Sequence, residues 1–171
     1  MVTSPKNLAF QHHDHTQCID SALASAQLVC SERGVRLTPL RQEVLQLVWQ
    51  SHKPLGAYTL LEQLANQSAI GEQRKLGPPT VYRALEFLRE QGLVHRIDSL
   101  NAFIGCQHPQ QPHQRFFLIC RLCETAVELI SDPLTAVIKT VADAAQFSNE
   151  GASVEITGLC PSCRSEASDH V

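Results

Sequence analysis

Apolar residues in the first half of the chain recur every three or four positions, the spacing of one face of an α-helix. Proline and glycine interrupt this repeat, so it predicts four helices, with a polar loop at 68–77. The helices start after Thr16 as N-cap, at Pro39 behind Thr38, at Ala57 and near Pro78, and they end at Gly34, near Gln50, at Asn66 and at Gly92. Proline in a first turn and glycine after a last turn are common helix start and stop signals.

Two short segments follow the fourth helix, and their residues alternate between apolar and polar. They cover residues 93–98 and 102–106 and are separated by a turn at 99–101. Alternation on both sides of a turn predicts a two-stranded hairpin. Helices followed by such a hairpin predict a winged helix-turn-helix.

The pattern changes after a proline- and glutamine-rich stretch at 107–114. It predicts strands at 115–120, 125–130 and 153–160, and a helix at 132–147 capped by Asp132. The predicted α+β organisation is a disordered arm at 1–15, a winged-helix domain at 16–105, a hinge at 106–115, a small α/β domain at 116–165 and a flexible tail at 166–171.

Composition narrows the classes of protein. No run of about 18 apolar residues predicts a membrane span, and the N-terminus lacks the features of a signal peptide. The sequence therefore predicts a cytoplasmic protein without a membrane partner. Its seven cysteines would stay reduced there, which favours metal ligation over disulfides.

Charge is distributed unevenly along the chain. Residues 30–96 hold nine Lys/Arg and six Asp/Glu, an excess of three positive charges, whereas residues 97–171 hold four and nine. The basic middle coincides with the predicted helix-turn-helix. The excess is small and by itself argues only weakly for nucleic acid, since exposed basic side chains often only solvate a surface.

Two Cys-x-x-Cys pairs lie in the last third of the chain, Cys120 with Cys123 and Cys160 with Cys163. Each pair presents two sulfurs on one tight turn, and four thiolates complete a tetrahedral Zn2+ site. Because this site has no open position, it suits folding and dimerisation better than sensing. Unrelated thiol pairs or disulfides are the alternative, which the duplicated spacing disfavours.

The fourth predicted helix has the pattern of a DNA-reading helix, whose N-terminal residues enter the major groove. Thr80, Tyr82 and Arg83 lie off its apolar face, and arginine can bind guanine through two hydrogen bonds. Arg36, Thr38 and Arg41, around the second helix, are candidates for contacts to the DNA backbone. The pattern alone also fits an ordinary amphipathic helix with a solvated arginine.

Three segments together resemble the ferric uptake regulator family of metal-dependent repressors. They are GVRLTPLRQEVL at 34–45, GPPTVYRALEFLREQGLVHRI at 77–97 and the two cysteine pairs, and the resemblance covers about residues 17–164. It implies an N-terminal winged-helix domain, a C-terminal dimerisation domain and a structural zinc ion on the four cysteines. It also implies a homodimer that binds double-stranded operator DNA under metal control and takes no small-molecule substrate.

The resemblance also implies a metal-sensing site, for which the candidate ligands are His95, Cys106, His113 and Glu128, with His108 as an alternative to His113. A thiolate in the set favours Zn2+ over Fe2+ or Mn2+. The pattern is similar to the zinc uptake regulator branch, which implies a repressor of zinc-uptake genes. A regulator that senses iron, manganese or peroxide is the alternative within the family.

Other interpretations of these residues compete with that of a metal-sensing repressor. Singly, each candidate ligand is also explained as an ordinary buried or surface residue. His12, His13 and His15 are typical of a flexible arm, with weak zinc capture as a further role. A zinc hydrolase or deaminase would need an H-x-E segment that is absent, a thiol oxidoreductase needs only one cysteine pair, and a zinc-ribbon module needs no winged helix. The sequence therefore predicts no enzyme.

Overall fold

The computed structural model describes residues 10, 14–67, 77–111 and 113–168. These residues form two compact units, of which the first spans 14–111 and the second spans 113–168 together with Phe10. Within the described ranges, no helix is long and apolar enough to cross a membrane. Of the predicted loop at 68–77, residues 68–76 lie outside the described residues, as do residues 1–9 and 11–13 of the predicted disordered arm.

The first unit contains four helices and a hairpin, as the hydrophobic pattern predicts. Its elements are α1 (Thr16–Glu32), α2 (Pro39–Trp49), α3 (Ala57–Gln67), α4 (Pro78–Glu90), β1 (Val94–Ile97) and β2 (Ala102–Gly105). The stop signals at Gly34 and Gly92 are confirmed, because both adopt positive φ angles of 65° and 68°. The strands β1 and β2 pair antiparallel, so the winged helix-turn-helix is confirmed.

The start of α1 differs from the prediction by one residue. Thr16 was predicted to cap the helix as an acceptor, but it is the first helical residue. Its backbone N–H and hydroxyl both donate to Asp14 Oδ1, at 2.9 Å and 2.7 Å. The acceptor at this end of α1 is therefore a carboxylate, which also suits the positive end of the helix dipole.

The wing is attached to α2 and to the segment between α2 and α3 by two contacts of β2. Leu55 and Phe103 exchange backbone hydrogen bonds of 2.9 Å and 2.8 Å, which adds a short bridge to the hairpin. Trp49 packs on Gly105, where an added Cβ would come within 2.2 Å of the indole. A glycine at this point of β2 is what allows the end of α2 to lie against the strand.

The second unit is a three-stranded sheet with two helices. Its elements are β3 (Arg115–Cys120), β4 (Ala126–Leu129), α5 (Asp132–Ala144), β5 (Ser153–Gly158) and α6 (Pro161–Ser168). The strand order is β4-β3-β5, in which β3 pairs antiparallel with β4 and parallel with β5. The α+β fold predicted from the sequence is confirmed.

Two local predictions for this unit were wrong. Asp132 was predicted to cap α5, but Ser131 is the N-cap and its hydroxyl accepts the Leu134 N–H at 3.4 Å. The segment 166–171 was predicted to be a flexible tail, yet α6 continues to Ser168, while residues 169–171 lie outside the described residues. An eight-residue helix offers about two turns, too few for its apolar repeat to stand out in the sequence.

One face of α5 is apolar and exposed. No residue of α5 is buried within the unit. Val137 and Val141 are 60% and 65% exposed, and Phe147 just beyond the helix is 67% exposed. Large exposed apolar side chains one turn apart on α5, Val137 and Val141, indicate a site that another protein surface covers.

Candidate functional site

The four cysteines of the second unit converge as the sequence predicts. Cys120 ends β3 and Cys160 directly precedes α6, and the parallel pairing of β3 with β5 brings both chain segments to one edge of the sheet. All four sulfur atoms lie within 4.8 Å of one another, and Cys123 Sγ and Cys160 Sγ are 3.7 Å apart. Two sulfurs on one tetrahedral Zn2+ ion are separated by about 3.8 Å.

The backbone around this cluster supports negative charge on sulfur. The Cys160 N–H points to Cys120 Sγ at 3.4 Å, and the Cys163 N–H points to Cys160 Sγ at 3.5 Å. Burial raises the pKa of Cys120, but N–H groups of Cys123, Cys160 and Leu122 outweigh it and lower this pKa to about 6. One thiolate is therefore stabilised by the fold itself.

Cys163 shows the opposite effect. Its interaction with Cys160, burial, and the sulfurs of Cys120 and Cys123 raise the pKa of Cys163 to about 12. Four thiolates at this spacing therefore need a cation to offset their mutual repulsion. Phe10 and Leu159 pack against the cluster and shield it from water. The donor set, its spacing and its burial fit a closed structural zinc site.

The predicted sensing residues form two pairs, one in each unit. In the first unit, His95 lies on β1 and Cys106 directly follows β2, with a ring nitrogen and the sulfur within 4.8 Å of each other. The Cys106 N–H donates to the Leu93 carbonyl at 3.0 Å, which holds the thiol beside the hairpin. His95 is 7% exposed and Cys106 is 3% exposed.

The second unit supplies the other pair. His113 Nε2 lies 2.7 Å from Glu128 Oε1, and the two side chains are 10% and 1% exposed. A buried carboxylate is costly unless positive charge or hydrogen bonds compensate it. The structure brings His113 to Glu128, whereas the alternative ligand His108 is exposed in the first unit.

A third cluster was not predicted. His15, Cys18 and His52 place one ligand atom each within 4.8 Å of one another in the first unit. His15 had been assigned to a flexible arm with His12 and His13, both of which lie outside the described residues. The spacing of His15 and Cys18 on one helix face was the available signal, but nothing in the sequence pointed to His52.

The predicted DNA-contacting residues of α4 lie on its outer side. Val81 and Leu85 are buried, whereas Tyr82 and Arg83 are exposed and Thr80 is half-buried. The N-terminal half of α4 thus presents polar and aromatic groups to solvent, as major-groove contact requires.

The residues predicted around α2 have mixed surroundings. Arg36 is exposed, and Thr38 is the N-cap of α2. The Arg41 guanidinium lies 3.4 Å from the centre of the Phe87 ring and also donates to the Arg36 carbonyl. This cation–π contact joins α2 to α4, an intramolecular role for Arg41 that the sequence did not indicate.

We expect Cys160→Ser to release one zinc ion per chain and to unfold the second unit, because structural zinc supplies about 10–16 kcal/mol to small zinc domains. Elemental analysis counts the metal, and hydrogen exchange of residues 115–158 reports the unfolding. Cys30→Ser is the control, since Cys30 is a buried thiol of α1 outside the cluster. Full zinc content and unchanged protection in Cys160→Ser would contradict the assignment.

Comparison with known proteins extends these observations. The profile of the ferric uptake regulator family matches residues 32–157. The zinc uptake regulation protein of Escherichia coli (strain K12) is 37% identical over 142 residues, covering 82% of this chain and 80% of that protein. The ferric uptake regulation protein of Synechococcus elongatus is 26% identical over 141 residues, covering 82% of this chain and 94% of that protein.

Solved structures of zinc uptake regulators are also similar to this chain. A zinc uptake regulator complexed with zinc and DNA has a TM-score of 0.80 and 35% identity, covering 88% of this chain and 97% of that chain. Holo XcZur has a TM-score of 0.75 and 39% identity, covering 86% of this chain and 99% of that chain. Because the family profile spans more than half of the sequence and the folds agree, this chain belongs to the ferric uptake regulator family.

Proposed function

We propose that this chain is a zinc-responsive repressor, which binds operator DNA as a homodimer when Zn2+ is bound and shuts off zinc-uptake genes. The observation that carries the proposal is the pairing of a cysteine sulfur, that of Cys106, with His95 beside the wing. The similar proteins named for zinc uptake and for a complex with zinc and DNA support it. Such a regulator acts in the cytoplasm and is not an enzyme.

We further propose that the two buried pairs share one sensed ion. His95 and Cys106 would provide a nitrogen and a sulfur ligand, and His113 and Glu128 a nitrogen and an oxygen ligand. This mixed set suits Zn2+, which accepts all three donor types in tetrahedral geometry. Sensing of iron, manganese or peroxide is less supported, because regulatory iron or manganese sites are more often built from histidine and carboxylate.

Ligands drawn from both units explain how DNA binding responds to metal. When His95 and Cys106 bind the same ion as His113 and Glu128, that ion links ligands of the first unit to ligands of the second unit. Only forms that satisfy all four ligands gain the full binding free energy, so their population rises. Moving an equilibrium from 1:99 to 99:1 requires about a 10⁴-fold difference in affinity.

The second unit provides the surface for dimerisation. The exposed apolar face of α5 contains Val137 and Val141, and Ile156 on β5 is 42% exposed. Covering a valine side chain in an interface contributes about 1.5–3 kcal/mol. A dimer then carries two α4 helices, as a two-fold symmetric operator requires.

The sensing proposal is tested with Cys106→Ser. We expect the free zinc concentration for half-maximal operator binding to rise by more than about tenfold, since even outer-shell changes cost about 10–100-fold in metal affinity. Operator binding is followed by fluorescence anisotropy in zinc buffers. His108→Gln is the control and should leave the zinc dependence unchanged. An unchanged response of Cys106→Ser would sink the proposal.

The DNA-binding proposal is tested on α4. Arg83→Ala should weaken operator binding by about 10–100-fold at saturating zinc, because one bidentate arginine–guanine contact is worth about 1–3 kcal/mol. Arg89→Ala is the matched control, since Arg89 is exposed in the last turn of the same helix. Equal losses in both variants would show that α4 contributes only general positive charge.

The dimer proposal is tested with Val137→Glu. A carboxylate placed in an apolar interface is costly to desolvate, so this variant should sediment as a monomer. Lys139→Glu introduces the same side chain two residues further on, about 200° around the helix, and should remain dimeric. A dimeric Val137→Glu protein would exclude this face of α5 as the interface.

A further inference from the structure

The first unit contains a set of metal-ligand residues that neither the four-cysteine cluster nor the proposed sensing set uses. We propose that His15, Cys18 and His52 form a further zinc-binding site in the winged-helix unit. The proposal does not rest on the sensing function, because none of these residues belongs to the sensing set. It rests on their geometry, surroundings and chemistry.

The geometry comes from the start of α1 and the segment after α2. His15 is the N-cap of α1 and Cys18 is three residues further on, a spacing that places both side chains on one side of the helix. His52 reaches them from the loop between α2 and α3. The three ligand atoms lie within 4.8 Å of one another. Nitrogen and sulfur ligands of one tetrahedral zinc ion lie about 3.4–3.6 Å apart.

The orientation of the two imidazoles agrees with shared ligation. The ring centroids of His15 and His52 are 4.9 Å apart, and the ring planes are tilted by 55°. The rings are therefore not stacked in parallel, an arrangement that would point their nitrogens away from a common centre. Both rings and the Cys18 thiol are half-buried, so ligation costs little additional ordering.

The surroundings favour a cation and give it access. The Asp14 carboxylate, held by two hydrogen bonds from Thr16, precedes His15. Cys18 also lines a cavity of about 270 Å³, together with Gln17 and Trp49. Ions and water can reach the sulfur through that cavity. With three protein ligands, the fourth position remains open to water, unlike in the four-cysteine site.

The donor set favours zinc over cations that prefer oxygen ligands. Two imidazoles and one thiolate suit Zn2+, whereas Mg2+, Ca2+ and Mn2+ prefer oxygen ligands. A bound ion would tie the first turn of α1 to the loop between α2 and α3. It would therefore restrain the N-terminal end of α1 against the rest of the winged-helix unit without using any residue of α4.

The number of bound zinc ions tests the site directly. The full-length protein and its variants are equilibrated at buffered micromolar zinc, and bound ions are counted by native mass spectrometry. His52→Gln and Cys18→Ser should each bind one zinc ion fewer per chain than the unchanged protein. Lys53→Gln, an exposed neighbour in the same loop, should bind the full number. Equal zinc content in His52→Gln and the unchanged protein would overturn the proposal.

A spectroscopic measurement separates ligation from an indirect structural effect. In the Co2+-substituted protein, the thiolate-to-metal charge-transfer absorption should decrease in Cys18→Ser and remain in Cys30→Ser. The expected decrease in absorption does not depend on metal binding at the Cys106 site, because both variants keep Cys106. An absorption spectrum of Cys18→Ser that matches the unchanged protein would show that the sulfur is not a ligand.

Discussion

The second unit depends on offsetting the repulsion among four sulfur atoms, which lie within 4.8 Å of one another. The strands β3 and β5 bring the two cysteine turns to one sheet edge, and backbone N–H groups stabilise a thiolate at Cys120. The same packing raises the pKa of Cys163, so the cluster reaches full negative charge only with a cation. Zinc bound at this cluster would couple metal binding to folding of the unit, and the α5 face would then be available for dimerisation only in the folded unit.

Local sequence signals predicted most of the fold. Apolar repeats, proline starts and glycine stops are short-range features, and they predicted α1 to α5 and all five strands within a few residues. The two wrong caps have one cause. Thr16 and Asp132 are good capping residues, but Asp14 and Ser131 are good ones too and stand one or two positions earlier. Sequence alone does not decide between neighbouring acceptors.

The candidate sites also differ in whether a sequence pattern or only a long-range contact reveals them. Cys120 and Cys123 share one turn and Cys160 and Cys163 another, and the duplicated spacing predicted that the two turns form one cluster. His15 and His52 are far apart in the sequence, and the packing of α1 against α2 brings them together. The Arg41 contact with Phe87 is likewise long-range. Such contacts carry no periodicity, which is why pattern analysis left Arg41 as a phosphate contact and His15 as part of an arm.

The three donor sets differ in charge and in the number of protein ligands, and we expect this difference to order their affinities for zinc. Four thiolates in a closed site bind zinc most tightly and retain it, as a folding element must. Two imidazoles, one thiolate and one carboxylate carry less charge, so their occupancy can follow the free zinc concentration. Three ligands with an open position bind most weakly and exchange fastest. As the free zinc concentration rises, the four-cysteine cluster would fill first. The proposed sensing set around Cys106 would fill next, and the cluster at Cys18 would fill last.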